Sequence, residues 1–197
     1  MEIFALVGAF IVIGLVFVTT LSTGASPVPT SPTVRRTMMT LLPKRLPDPD
    51  GVIYELGAGW GGLALTLARR YPNHAVVGLE VSLIPWIVAR LRFALTGPAN
   101  LSLRRRDFIA EPLSNATLVT CYLPPEAAEG LREKLEAELP PGALVVANTF
   151  AIRPWRPLDE VTAPDIYASK VYLYEIGAVA AASQVAVDPS IEPESAD

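Results

Sequence analysis

The feature that most restricts the fold lies between residues 51 and 70. An apolar run, Gly51-Val52-Ile53-Tyr54, passes through Glu55-Leu56 into a turn containing Gly57, Gly59, Gly61 and Gly62. A second apolar run, Leu63-Ala64-Leu65-Thr66-Leu67-Ala68, follows at once. This reads as a buried strand that breaks sharply into a helix. Glycine suits such a turn because the backbone must reverse tightly and lie against a ligand with no Cβ in between. Glu80 closes a further apolar run, Ala75-Val76-Val77-Gly78-Leu79, and falls twenty-three residues after Gly57. A carboxylate there can accept from both hydroxyls of a ribose. The pattern predicts a site for an adenosine-containing cofactor.

The rest of the chain repeats the alternation. Strand-like runs lie at 52–56, 75–80, 101–105, 118–122 and 143–149, and helix-like runs at 61–70, 83–95 and 125–138. In the second of these helices Ile84, Ile87, Val88, Leu91 and Leu95 share one face, with Arg90 and Arg92 pointing away. Thr33 or Ser31 can cap an earlier helix carrying Val34, Met38, Leu41 and Leu42, which ends before Pro43. Strands and helices joined by short connections predict an α/β, Rossmann-like fold: a mostly parallel sheet with helices on both faces. Val171–Ile176 reads as a last strand, antiparallel at the edge.

The two ends differ from this pattern. From Ile3 to Leu21 there is no ionisable residue, and thirteen of the nineteen are Leu, Ile, Val or Phe. As a helix they would rise ~28 Å, close to the hydrocarbon thickness of a bilayer. This segment raises the mean hydropathy to +0.37, and it predicts a transmembrane helix over 1–21. A cleaved signal peptide is the alternative, with Thr23-Gly24-Ala25 as a small-residue site, but Met1-Glu2 is not a positive n-region. Arg35, Arg36, Lys44 and Arg45 follow the apolar segment, so the positive-inside rule puts the globular part in the cytoplasm, at the cell membrane. Residues 22–33 form a Pro-rich linker or arm, 34–176 the folded domain, and 177–197 an acidic tail expected to be disordered.

Several chemistries are excluded. His74 is the sole histidine, so neither a Ser-His-Asp triad nor a histidine metal site can be assembled, and no metal is expected. The one cysteine, Cys121, fits a reducing compartment and an inert mid-strand position. Arg104-Arg105-Arg106 is too short for a nucleic-acid stripe, and the net charge of −4 argues against phosphate-rich partners.

The turn satisfies both the dinucleotide pattern, Gly57-x-Gly59-x-x-Gly62, and that of S-adenosylmethionine (SAM) enzymes, Gly57-x-Gly59-x-Gly61. Glu55 favours SAM, because a carboxylate suits a cationic aminoacyl group and repels a pyrophosphate. Arg106-Asp107-Phe108 after the third strand lets Asp107 accept from an adenine amino group, or else cap a turn. The compact sheet also leaves no second domain for a hydride acceptor.

Residues 27–176 resemble the class I SAM-dependent methyltransferases, and within them a membrane-anchored branch. That branch is related to the lysine methyltransferases of the mitochondrial adenine nucleotide carrier and ATP synthase c subunit, and to their prokaryotic relatives. The resemblance rests on the Pro27-Val28-Pro29-Thr30-Ser31-Pro32 arm, Glu55-Leu-Gly57-Ala-Gly59-Trp-Gly61, and Gly78-Leu-Glu80-Val-Ser with Pro85-Trp86. It extends through Pro140-Pro141-Gly142, Asn148-Thr-Phe150 and Pro154-Trp155-x-Pro157. The pattern departs where Trp60 replaces an acidic residue, Gly62 a basic one, and Arg153-Pro154-Trp155 a Pro-Gly-Trp block.

The resemblance implies SAM as cofactor, held by Pro29, Thr30, Glu55, Gly57, Gly59, Trp60, Gly61, Glu80, Val81, Asp107 and Phe108. Thr30, Tyr122, Asn148, Phe150 and Trp155 are the candidates for the acceptor channel, from the arm and the C-terminal ends of the fourth and fifth strands. The acceptor it implies is a lysine of a membrane or membrane-proximal protein. A lipid or hydrophobic small molecule, or a silent SAM-binding module, are the alternatives.

Overall fold

The computed structural model describes residues 29–122 and 125–177. The expected transmembrane helix, most of the arm and the acidic tail beyond Gly177 lie outside the described residues. Among the described residues no helix is long and apolar enough to cross a membrane.

Helix α1 (Pro32–Leu41) opens the fold, with the Ser31 hydroxyl accepting from the Val34 N–H at 3.2 Å. Proline at its first position costs nothing, since that N–H has no helical partner anyway. The domain thus begins inside the segment read as arm. The alternation follows as β1 (Val52–Leu56), α2 (Gly62–Arg70), β2 (Val76–Leu79), α3 (Leu83–Thr96) and β3 (Leu101–Arg104). After a short 3-10 turn at Phe108–Ala110 come β4 (Ala116–Cys121), α4 (Pro125–Glu138), β5 (Leu144–Asn148), β6 (Asp159–Thr162) and β7 (Lys170–Glu175).

The sheet order is β3-β2-β1-β4-β5-β7-β6. Strands β1 to β5 are parallel, and β7 runs antiparallel to β5. The antiparallel strand expected over 171–176 is therefore present at this side of the sheet. A short strand absent from the sequence reading, β6, lies outside it as the outermost strand. Its largely exposed Asp159-Glu-Val-Thr162 gives no apolar alternation to detect. Chain order reverses between β1 and β4, so the connections that follow them leave toward opposite faces of the sheet and open the crevice where such sheets bind ligands.

Two apolar layers cover the sheet. On one face Val34 and Met38 of α1 and Leu63, Ala64 and Leu67 of α2 pack on Ile53, Val76 and Val146. On the other, Leu131 and Leu135 of α4 pack on Tyr54, Val119 and Val145.

Helix α3 corrects the expectation for its orientation. It buries Pro85 and Ala89, while Ile87, Val88, Leu91 and Leu95 are exposed. Gly61 dictates this. A Cβ there would sit 2.3 Å from the Phe93 ring and 3.2 Å from the Ala89 Cβ, so α3 lays its small-residue side against the glycine loop.

Candidate active site

The site is built around the loop between β1 and α2. Gly57, Gly59 and Gly61 adopt φ of 74°, 52° and 73°, a left-handed region that strains any residue with a Cβ. The Ala58 N–H donates to the Leu79 carbonyl at 2.8 Å, tying the loop to the end of β2. Glu80 completes the tie. One carboxylate oxygen accepts from the Gly59 N–H and the other from the Ser82 N–H, each at 2.7 Å. Each oxygen keeps a further lone pair, so Glu80 can hold the loop and still accept from a ligand.

Glu55 is the second buried carboxylate, 6% exposed at the end of β1. Burial is the main cause that pushes it up to about 8; the Glu80 charge adds to this, and the Ala64 N–H and the Arg35 guanidinium oppose it. Its Oε2 atom has no hydrogen-bond partner. An orphaned buried oxygen of this kind calls for a cationic or proton-donating ligand.

A cavity of about 100 Å³ lies beside it, walled by Pro29, Thr30, Glu55, Gly57, Gly59 and Trp60 together with Arg35 and Arg92. Six of the residues read as cofactor-binding thus meet here. Neither arginine is a site candidate from the sequence, where Arg35 bears only on orientation at the membrane. Arg35 donates to the Thr30 carbonyl at 2.6 Å, holding the arm closed over the loop. Its guanidinium also fills the space over Gly62, where a Cβ would lie 2.7 Å from Nη1. The missing basic residue at 62 was the available signal: the charge comes from α1 instead. Arg92 was read only as turned away from the apolar stripe of α3, a direction that here faces the cavity.

Three further candidates lie on the connections that follow β2 and β3 and do not line this cavity. Val81, 42% exposed, continues from Glu80 at the end of β2. Asp107 caps the 3-10 turn, accepting from the Ile109 N–H at 2.9 Å, and Phe108 packs half-buried against the core.

At the ends of β4 and β5 the Tyr122 and Phe150 rings stack, 6.3 Å apart with planes 11° from parallel. Thr149 makes this possible by taking φ of 68°, a costly conformation for a β-branched residue, so that the chain turns directly after β5. Asn148 is buried, and its side-chain oxygen accepts from the Thr149 hydroxyl at 3.1 Å. Trp155 is not brought to this group. Its indole lies in the core edge-on to Tyr174 and donates to Glu136 of α4 at 2.7 Å.

A family model described as the ANTKMT methyltransferase domain matches residues 55–159. The chain belongs to the ANTKMT methyltransferase family. It is 34% identical over 159 residues to a protein-lysine N-methyltransferase of Saccharolobus islandicus, spanning 76% of this chain and 94% of that protein. It is 33% identical over 129 residues to the mouse adenine nucleotide translocase lysine N-methyltransferase, covering 60% of this chain and 55% of that protein. Among solved structures, an RNA methyltransferase from Salinibacter ruber in complex with S-adenosyl-L-homocysteine superposes with a TM-score of 0.65 at 31% identity. The match covers 86% of this chain and 99% of that one.

The family member described here is a SAM-dependent methyltransferase, and its residues fit that cofactor. The orphaned Glu55 oxygen offers a partner for an ammonium group. Around Gly59 a Cβ would meet nothing within 4 Å, which leaves the loop open for close approach of a ligand.

Proposed function

We propose that this methyltransferase modifies a lysine of a membrane or membrane-proximal protein, from a cytoplasmic domain tethered by the apolar segment 3–21. The observation that carries the lysine reading is the uncharged aromatic wall formed by Tyr122 and Phe150 beside buried Asn148. The Saccharolobus and mouse relatives are lysine methyltransferases by name, which supports it.

Bound SAM supplies a methyl group activated on a sulfonium. The residues of this chain have the remaining tasks. Glu55 takes the ammonium of the aminoacyl group, Arg35 and Arg92 face its carboxylate, Glu80 accepts from the ribose hydroxyls, and Asp107 accepts from the adenine amino group. Trp60 and Thr30 close the cavity and exclude water.

A lysine must arrive neutral. Apolar rings around its stem penalise the ammonium form and let the proton leave to solvent before transfer. No dedicated base is needed, and Tyr122 and Asn148 align the amine.

Incubation of the full chain with methyl-labelled SAM and membranes tests the reading. Label should appear in a protein band and, after hydrolysis, on lysine. Label confined to lipid, to small molecules or to RNA would overturn it.

A further inference from the structure

Helix α3 carries its apolar stripe outward. Leu83, Ile87, Val88, Leu91 and Leu95 are 42, 39, 45, 61 and 83% exposed, and Val81 just before the helix is 42% exposed. At roughly 100° per residue they cover the face opposite buried Pro85 and Ala89, and Arg90 and Arg92 flank that face on either side. An apolar stripe edged by arginines and turned away from the core is the pattern of a helix lying in a membrane interface.

Charge points the same way. The chain is acidic overall, at −4, yet residues 81–106 hold five arginines and not one Asp or Glu. Arg104 and Arg106 pair with Glu111 and Arg92 lines the cavity, which leaves Arg90 and Arg105 around the helix. Arg105 donates to the Val81 carbonyl at 3.3 Å, at the start of the apolar stripe. Position agrees as well. Arg92 and Pro29 line one cavity, so the chain leaves the described fold toward the apolar segment 3–21 beside this same helix.

We propose that α3 docks on the bilayer surface, with its leucines among the acyl chains and Arg90 and Arg105 at anionic headgroups. This deepens the reading of a membrane-proximal enzyme, since docking would hold the active-site loop against the membrane, but it stands apart from the anchor.

The test uses the full chain in vesicles of phosphatidylcholine and phosphatidylglycerol. An environment-sensitive fluorophore is attached at Leu91→Cys or Leu95→Cys. Glu133→Cys serves as control, since that side chain is 71% exposed on α4, across the sheet. The native Cys121 is buried, with its thiol pushed up to about 12, and stays unlabelled.

The probes at 91 and 95 should shift to the blue and be quenched several-fold more by nitroxide-bearing lipids than the probe at 133. Adding Arg90→Gln and Arg105→Gln, or high salt, should reduce that quenching. Probes at 91 and 95 as water-exposed as the one at 133 would overturn the proposal. So would shielding that lipid nitroxides cannot reach, because a second copy or segment 3–21 would then cover the face. Carbonate extraction of the same samples reports on the anchor alone. Retention with unquenched probes removes the docking and leaves the anchor, whereas release of a protein quenched beforehand removes the anchor and leaves the docking.

Discussion

The two halves of the crevice solve opposite electrostatic problems. At the ends of β1 and β2 stand two buried carboxylates, Glu55 and Glu80, and Glu55 shares its cavity with Arg35 and Arg92. At the ends of β4 and β5 stand Tyr122, Asn148 and Phe150, all uncharged. A zwitterionic, sulfonium-bearing cofactor needs fixed countercharges to leave water, whereas an amine that must shed its proton is better served by an apolar wall. Even the buried carboxylates differ. Backbone N–H groups satisfy both oxygens of Glu80, while Glu55 keeps one oxygen unpaired. One is a structural tie; the other keeps an oxygen that a ligand could use.

The largest expected effect comes from breaking the tie. Glu80→Ala should weaken SAM binding by roughly a hundredfold, about 3 kcal/mol for lost charged hydrogen bonds. Calorimetric titration measures this, and wild-type affinity would remove Glu80 from the cofactor site.

Glu55→Gln should weaken SAM by about tenfold through the lost charge-assisted contact, and it should also change how stability varies with pH. The unfolded carboxyl titrates at 4.5 and the folded one at about 8, so the folded protein binds the extra proton between them. The stability of the SAM-free protein should therefore fall as pH rises through that window, by at most roughly 1.4 kcal/mol per pH unit. The Gln variant should show a flatter profile and a higher Tm at pH 8. Equal slopes in denaturant melts of the two proteins would count against a protonated Glu55.

On the acceptor side, Phe150→Leu should lower kcat/KM by about tenfold, the worth of one aromatic stack, with the Kd for SAM unchanged. A loss confined to SAM affinity would move Phe150 to the cofactor half.

Trp155→Phe should have the smallest effect on function. It removes the hydrogen bond to Glu136 and costs about 1–2 kcal/mol of stability. Turnover per folded molecule should stay at the wild-type level, and a marked fall in kcat at full SAM saturation would return Trp155 to the acceptor channel.

Trp155 shows where the sequence misleads. It lies a few residues past β5, close in sequence to Asn148 and Phe150, yet its indole turns inward between Glu136 of α4 and Tyr174 of β7. Asp107 had two readings from the start, and the described structure holds it in the capping one, with its second oxygen still available to a ligand.

The chain's periodicity determined the alternation of strands and helices, and the glycine spacing with Glu80 marked the loop that the two build together after β1. Both are legible because they are local. A strand or helix answers to neighbours a few residues away, and a left-handed turn to the glycine at that position. Tertiary structure alone decided what depends on distant residues: Arg35 over Gly62, Arg92 at the cavity wall, β6 outside β7, and the outward roll of α3. For α3, periodicity established that the helix has an apolar face. Which way that face points was decided by close packing, because Gly61 admits only the Ala89 and Phe93 side.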